Sequence, residues 1–485
     1  MQIHLTEKNY FRIALPLFSA CIVLPMFSES MLVAALPAIE HEFNTSGIIG
    51  AWILPVVLLV GAALCPFFGT LGDSYGRKKI LAICLFIYSI GVIAAGFSFD
   101  IWSLLFFRSL QGMGIAAIPI AFAMISEQFP PKKVPVGIGV LAASYGVGTM
   151  TGILCGSYII NYWGWRWTYF TLIPIVIIHL FLILFVLKNA HETDNFGTVS
   201  NSSENDSVVK SKGISERKAD YKGAFLLLLA MFFFLLTITE GFESGWFVPE
   251  VFIHALLTVI FTAAFISAEK KALVPAIDLS LVKRPVVIII SAVAFLVNCM
   301  TFLYIQALPF IIQSPSGLFL EERFVGLIMI PGSVADMIAS PLSSFWIREK
   351  GFLAPVIFGS LCMALTPAIF FLFPLTIISL SAGWIFFSIG MAVVSTAYLL
   401  KIIKVVPPNR TAGATGLLHS SINIGGMTGP VFAGVIIASS ASRFLIAGEY
   451  WTFPSSEAFT FIFATGGVMS AVILILAVKS TRIPE

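Results

Sequence analysis

Charged residues are scarce in this sequence. They make up 11% of its 485 residues, whereas 58% of the residues are hydrophobic and the mean hydropathy is +0.98. Soluble domains contain about 25% charged residues, so this composition excludes an ordinary soluble domain and indicates a chain that is solvated by lipid. The net charge of +3 is too small to indicate nucleic-acid binding.

Cysteine is also rare, and the common enzyme motifs are missing. The six cysteines lie inside apolar segments without a CxxC pair, which argues against a disulfide framework and a metal site. No HExxH, GxSxG, Walker A or GxGxxG cluster occurs in a suitable context, so we expect neither an enzyme nor an ATP-driven pump. Cofactors are not expected, and an ion gradient is the expected source of energy.

Long apolar runs predict fourteen membrane spans, because a transmembrane helix needs about 20 mostly apolar residues. The predicted fold is therefore an all-α integral membrane protein. Its spans are grouped as six, two and six, at residues 12–38, 47–71, 79–97, 101–126, 134–160, 165–187, 222–240, 249–268, 285–312, 324–347, 353–373, 375–400, 411–438 and 458–478.

These groups predict four regions along the chain. The first is an N-terminal six-helix bundle (1–187), followed by a polar linker (188–221) that is rich in Asn, Ser and Lys. Two additional spans with a basic loop come next (222–284), and a C-terminal six-helix bundle completes the chain (285–485).

The distribution of Lys and Arg predicts the orientation in the membrane. If the N-terminus is cytoplasmic, the cytoplasmic segments contain 24 of the 28 basic residues, because Arg166, Arg323 and Arg443 fall in outer loops and Arg108 within a span. Cytoplasmic loops collect basic residues, so both termini and the linker are predicted to be cytoplasmic in a multi-pass protein of the cell membrane.

An internal repeat relates the two six-span groups. When residues 130–152 are aligned with 407–429, nine of 23 positions are identical, and the fifth span of each group is the same element. A repeat in the same direction is typical of transporters whose halves are related by an axis along the membrane normal, with the substrate site between the halves. Chance similarity between glycine-rich helices is the alternative.

The loop after the second span contains a charged, glycine-rich motif. Gly69-Thr-Leu-Gly-Asp73-Ser-Tyr-Gly76-Arg77-Lys-Lys resembles the signature loop of the major facilitator superfamily. Gly69 suits a close approach of helices and Gly76 a tight turn. The resemblance implies that Asp73 and Arg77 gate the cytoplasmic side; a purely topogenic basic loop is the alternative.

The fourth span carries a second motif. The run from Leu104 to Ala117, with Arg108, Gln111 and Gly112, resembles the motif of proton-coupled antiporters in this superfamily. Arg108 lies about eight residues below the outer surface, roughly 12 Å. A charge at that depth is a functional candidate by default, and snorkelling to the interface is the alternative.

Two acidic residues are candidate proton or substrate sites. Glu29 in the first span lies at a similar depth to Arg108, and a carboxylate beside a guanidinium in a low dielectric is a candidate proton switch. The family's motif has its acid at the position of Ser28, which is about 100° away around the helix. Asp336 lies in the tenth span, where a cavity-facing site and a neutral packing carboxyl are both open.

The fifth span resembles the antiporter motif of drug exporters through Gly148, Gly152 and Gly156. Ile153 replaces the expected proline and Ser157 the last glycine. Small residues four apart also permit close packing whatever the function.

Together these resemblances, which cover nearly the whole chain, imply a monomeric fourteen-helix drug:proton antiporter that exports small lipophilic or cationic compounds. A symporter or uniporter for a defined metabolite is the first alternative. A membrane sensor or enzyme is a remote one.

Overall fold

The computed structural model describes residues 7–45, 47–130, 132–187, 221–271, 284–406, 411–446 and 449–482. Within them, fourteen helical segments are long and apolar enough to cross a membrane, which confirms the predicted all-α membrane fold. The domain boundaries remain predictions, since most of the linker and residues 272–283 lie outside the described residues. At the linker's end, Tyr221 already belongs to a helix.

The first six spans form the first half of the molecule. A single turn of 3₁₀ helix (Val33–Ala35) interrupts the first span. The α-helices of this half are α1 (Glu7–Ser30), α2 (Leu36–Glu42), α3 (Gly47–Gly50), α4 (Pro55–Tyr75), α5 (Arg77–Ala95), α6 (Ile101–Ala116), α7 (Ile118–Gln128), α8 (Val134–Trp163) and α9 (Arg166–Val186).

Prolines lie at the breaks in the first, second and fourth spans. α2, α4 and α7 each have a proline in the first two positions: Pro37, Pro55 and Pro119. Proline lacks the backbone N–H that would continue a preceding helix, but fits the first turn of a new one. These breaks change the direction of the chain inside the bundle and expose backbone carbonyls to side chains.

Two additional helices and a second six-span half follow, and a small β-hairpin that was not predicted joins the last two spans. Strand β1 pairs antiparallel with β2, with Arg443 opposite Thr452. The elements are α10 (Tyr221–Glu243), α11 (Pro249–Lys271), α12 (Pro285–Gln313), α13 (Arg323–Lys350), α14 (Leu353–Leu372), α15 (Ile377–Val405), α16 (Thr411–Ser439), β1 (Ala441–Ile446), β2 (Glu449–Pro454) and α17 (Ser456–Arg482).

The fourth span of each half begins with the same capping box. Asp100 accepts a hydrogen bond from the backbone N–H of Ser103, whose hydroxyl accepts one from the Asp100 N–H. Thr376 and Ser379 form the same reciprocal pair at the start of α15. A capping box satisfies two helix-end donors that would otherwise be unpaired. The internal repeat therefore extends beyond the aligned fifth spans.

The fifth span packs against the first span of its own half in both halves. A β-carbon added at Gly148 would lie 2.7 Å from the Val23 carbonyl oxygen of α1. Gly425 of α16 meets the carbonyl of Phe295 on α12 in the same way. Only a residue without a side chain permits backbones to approach so closely. The two glycine rows hold equivalent helix pairs together.

The two halves are in contact at the end of the molecule that carries the β-hairpin, which we call the hairpin end. Gln313 donates through Nε2 to the carbonyl of Ala34 at 2.8 Å, and the backbone N–H of Arg323 donates to Asn161 Oδ1 at 3.4 Å. A β-carbon at Gly434 would overlap that of Ala51. The opposite end, where α1 starts and α17 finishes, is called the terminal end.

Helix α10 packs across the boundary between α4 of the first half and α16 of the second. Trp52 donates through Nε1 to the Thr239 hydroxyl at 3.1 Å, and Phe242 packs edge-on against Phe432 at 5.8 Å between ring centroids. Leu235 belongs to the same buried apolar cluster. The additional hairpin of helices is thus packed on both halves.

Candidate functional site

An ion pair is buried inside the first half. Arg108 of α6 donates through Nη2 to Glu29 Oε2 of α1 at 2.8 Å. Arg108 is 0% exposed and Glu29 is 8% exposed. The structure thus brings together the two residues that sequence depth placed at the same level, and snorkelling of Arg108 is not observed. The role of the pair in coupling stays a prediction.

Other groups also hold the guanidinium of Arg108. Its Nε donates to the carbonyl of Ile53 at 3.0 Å, and its Nη1 donates to the carbonyl of Ser28 at 3.5 Å and to Gln111 Oε1 at 3.3 Å. Ile53 lies between α3 and α4, where the helix break leaves its carbonyl available. Arg108 would therefore keep three acceptors if its contact with Glu29 were lost.

Glu29 uses only one of its oxygens. Its Oε1 is buried and has no hydrogen-bond partner among the described residues. A buried carboxylate oxygen without a donor costs free energy, and a proton on that oxygen reduces the cost. The site can therefore hold Glu29 either as an ion that is paired with Arg108 or as a neutral acid.

Gln111 and Gly112 position α6 against its neighbours. Gln111 donates through Nε2 to the carbonyl of Gly91 on α5 at 3.1 Å. A β-carbon at Gly112 would lie 2.8 Å from the carbonyl oxygen of Val57 on α4. These contacts fix the helix that presents Arg108, so both motif residues have a structural role at the ion pair.

The glycine row of α8 supports α1 beside Glu29. A β-carbon at Gly152 would overlap the Ser30 hydroxyl and lie 2.6 Å from the carbonyl oxygen of Phe27. One at Gly156 would overlap the backbone of Met31. The row therefore has the packing role that was one of its two sequence interpretations, and it packs on both sides of Glu29 along α1.

The charged loop at the terminal end is partly described. Gly76 has φ of +96°, a left-handed conformation that suits the tight turn between α4 and α5. Arg77 forms an ion pair with Glu127 at 2.7 Å and donates to the carbonyl of Ala123 at 3.2 Å. The side chain of Asp73 lies outside the described part of the structure.

Gly69 lies near the end of α4, beside this loop. We expected it to permit a close approach of helices. Among the described residues, a β-carbon at Gly69 would meet no atom within 4 Å. Its role in the loop stays a prediction.

Asp336 lies halfway along α13 and is partly buried. It accepts a hydrogen bond from the Ser340 hydroxyl at 3.3 Å. Among the described residues, no basic side chain forms an ion pair with Asp336. The structure therefore leaves both of its sequence interpretations open.

The two halves differ at the position of the ion pair. Trp384 lies eight residues after the α15 capping residue, as Arg108 lies eight residues after Asp100. Gly148 contacts Val23 on α1, and the equivalent Gly425 contacts Phe295 on α12. Counting six residues on from each contact, Thr301 of α12 corresponds to Glu29 of α1. An indole and a hydroxyl thus replace the charges, and in the described part of the chain the first half alone has an ion pair at this level.

Sequence reasoning missed several buried polar groups, among them Tyr88 and Glu40. Tyr88 of α5 donates to the Ser28 hydroxyl at 3.1 Å, next to the ion pair. Glu40 of α2 is buried near the hairpin end. Nothing in the sequence marks Tyr88, and Glu40 begins a short polar run just after the predicted first span, where a solvated loop was expected. In the described part of the chain, no group of His, Cys, Asp and Glu side chains could hold a metal ion.

Fourteen membrane-spanning helices, six in each of two related halves and two between them, with a charge pair buried in the first half, define a membrane transporter. The chain belongs to the Major Facilitator Superfamily, whose sequence model matches residues 18–430.

Relatives and solved structures agree with this membership. The chain is 26% identical over 434 residues to the multidrug resistance protein Stp of Mycobacterium tuberculosis (strain CDC 1551 / Oshkosh), covering 87% of this chain and 75% of Stp. It is 23% identical over 429 residues to the tetracenomycin C resistance and export protein of Streptomyces glaucescens, covering 86% and 74%.

A crystal structure of a bacterial homologue of the human lysosomal transporter Spinster, in an inward-facing and occupied conformation, superposes with a TM-score of 0.62. The sequence identity is 16%, and the match covers 99% of this chain and 100% of that one. At this identity the likeness supports the fold alone.

Proposed function

We propose that this transporter is a proton-coupled antiporter that exports small lipophilic or cationic compounds from the cell by alternating access. The observation that carries the proposal is the buried pair of Glu29 and Arg108, with one carboxylate oxygen unpartnered. The relatives named for drug resistance and export support the substrate class. The proton gradient is the proposed energy source, and a monomer the proposed unit.

The ion pair is suited to act as a proton switch because its two members are held differently. Arg108 has acceptors on α1, on the segment before α4 and on α6 itself, so its position does not depend on Glu29. Among the described residues, the carboxylate of Glu29 is bound by Arg108 alone. Protonation of Glu29 removes one charge and weakens the single attraction that draws its side chain to α6.

A chain of helix contacts connects this switch with the interface between the halves. Glu29 lies on α1, and α1 packs on the glycine row of α8. At the hairpin end, α8 packs on α13 of the second half, where a β-carbon at Gly326 would overlap the Ser157 hydroxyl. A shift of α1 against α8 would therefore change the contact between α8 and α13, which joins the two halves.

The contacts at the hairpin end close one side of the molecule. With both termini in the cytoplasm, the hairpin end faces outwards, and the contacts described there close the outer side. Substrate would then enter from the cytoplasmic side. Asp336, on the second half, is the proposed alternative proton or substrate site.

The test is the accumulation of fluorescent lipophilic cations and neutral analogues in cells that express the protein, with and without a protonophore. We expect lower accumulation of the cations, and we expect the protonophore to abolish the difference. Unchanged accumulation of every compound would contradict drug export. Higher accumulation that collapses with the protonophore would indicate proton-coupled uptake instead.

A further inference from the structure

A second acidic side chain is buried in the first span. It lies close to the contact between the two halves at the hairpin end, which we call the seam. Glu40 of α2 is 9% exposed, and its Oε1 has no hydrogen-bond partner among the described residues. Its carboxyl lies directly on α3, because a β-carbon at Gly50 would overlap it. An ionised carboxylate buried in this way loses most of its contact with water, and no described cation compensates for that loss. The protonated form fits the closed conformation.

The next residue connects the two halves directly. The ring of His41 is stacked on the indole of Trp451 from β2, with centroids 3.5 Å apart and planes 8° from parallel. Stacked aromatic rings stabilise a contact beyond the area that they bury. This stack therefore holds α2, and Glu40 with it, against the second half.

Opening of the hairpin end would change the surroundings of both residues. Elements of the second half, including α12 and β2, pack on α2, and α16 packs on α3. If the halves separate there, Trp451 leaves His41, and water reaches the layer of α2 and α3 that contains Glu40. Water stabilises an ionised carboxylate, so the open conformation favours loss of the Glu40 proton.

Few charged groups face this position. Glu42 on α2 is already bound by Arg166 and by Trp165 Nε1, the latter at 2.6 Å. The 3₁₀ turn, α3 and α12 contain no Asp, Glu, Lys, Arg or His. β2 contributes Glu449, whose side chain lies outside the described residues. On the described faces that pack against α2, no cation offsets a charge on Glu40.

We propose that Glu40 is a second proton-binding site, accessible from the hairpin end, whose occupation stabilises the closed seam. The proton enters from that side when the seam opens and returns to the same side, so the site adds nothing to the net proton stoichiometry. Its place in the cycle rests on the proposed antiport: protons arriving from outside close the seam after the substrate has left.

The experiment measures the seam directly by electron paramagnetic resonance distances. Spin labels are placed by Phe99→Cys in the first half and Ile378→Cys in the second, both about 80% exposed near the hairpin end. The full chain, with its native cysteines replaced, is studied in lipid nanodiscs without substrate across pH 5.5 to 8.5. One titrating group can change the open-to-closed ratio by at most about tenfold per pH unit.

We expect the population of the longer, open distance to rise with pH in the labelled parent. Glu40→Gln should remain at the closed distribution at every pH, whereas His41→Gln, which loses the stack on Trp451, should raise the open population at every pH. Glu42→Gln is the matched control and should retain the parent's pH response. If Glu40→Gln does not fold, Glu40→Met provides another uncharged side chain of similar length for the test.

A parent whose distances do not change with pH overturns the inference, and so does a Glu40→Gln protein that keeps the parent's response. These results are separable from failure of the proposed function. A pH-insensitive seam in a protein that still exports substrate on a proton gradient refutes this site alone. A pH-dependent seam without gradient-driven export refutes the antiport alone.

Discussion

Glu29 binds Arg108 with one carboxylate oxygen and leaves the other buried without a partner. Arg108 has three further acceptors, whereas Glu29 has no second donor among the described residues. This asymmetry makes the carboxylate the mobile member of the pair and the guanidinium the fixed one.

Glu29→Gln should abolish efflux driven by a pH gradient, because the amide cannot exchange a proton. Substrate binding should survive, since the amide keeps the shape of the side chain. The measurement is efflux from proteoliposomes with an imposed gradient, and Glu250→Gln, an exposed acid on α11, is the control. Efflux that still follows the gradient in Glu29→Gln but not in Asp336→Asn would place the proton site in the second half.

Gly152→Val should reduce both stability and transport. The added side chain would overlap Ser30 and press on Phe27, and overpacking of this kind costs about 1–3 kcal/mol. Gly139→Val is the matched control on the same helix, because a β-carbon at Gly139 meets no atom within 4 Å. Thermal unfolding in detergent, with transport measured in parallel, would distinguish the two. Equal effects of both substitutions would show that close packing of α1 on α8 at Gly152 is not required for stability or transport.

Asp73→Asn should leave expression and folding nearly intact but reduce transport, because it removes a charge from the loop that is predicted to gate the cytoplasmic side. Expression level and transport rate are the two measurements. Normal transport in this variant would show that the charge of Asp73 is not needed for transport and that the loop serves to orient the protein in the membrane.

Asp100→Ala should lower the thermal stability of the protein by removing the α6 capping box. The Ser103 hydroxyl and backbone N–H hold the pKa of Asp100 below its usual range. A depressed pKa in the folded state means that the cap stabilises the fold above the carboxyl's ordinary pKa and is lost as the pH falls through its folded value. The melting temperatures of variant and parent should therefore converge in acid. A constant difference down to acidic pH would contradict this.

The predicted sidedness can be tested with introduced thiols at Ser203 in the linker and Ser442 in the hairpin. Ser442 lies in strand β1, and its side chain is exposed. A membrane-impermeant thiol reagent should label only the Ser442→Cys protein in intact cells. Labelling of the Ser203→Cys protein would show that the basic loops face outwards.

The sequence alone determined the fourteen spans, because each requires only a local run of apolar residues of sufficient length. It also placed Glu29 and Arg108 at one depth, since helical rise is constant along a span. The glycines of the fifth span could be recognised by their spacing, but spacing did not say that they pack on α1. Asp336 remained ambiguous for the same reason, as its depth was known and its neighbours were not.

Only the tertiary structure decided which groups meet across helices. The backbone carbonyl of Ile53 becomes an acceptor for Arg108 because the chain breaks between α3 and α4 and α6 lies beside it. The stack of His41 on Trp451 joins residues 410 positions apart in the chain. No local pattern encodes such contacts, because they depend on how helices pack and where their breaks turn the backbone.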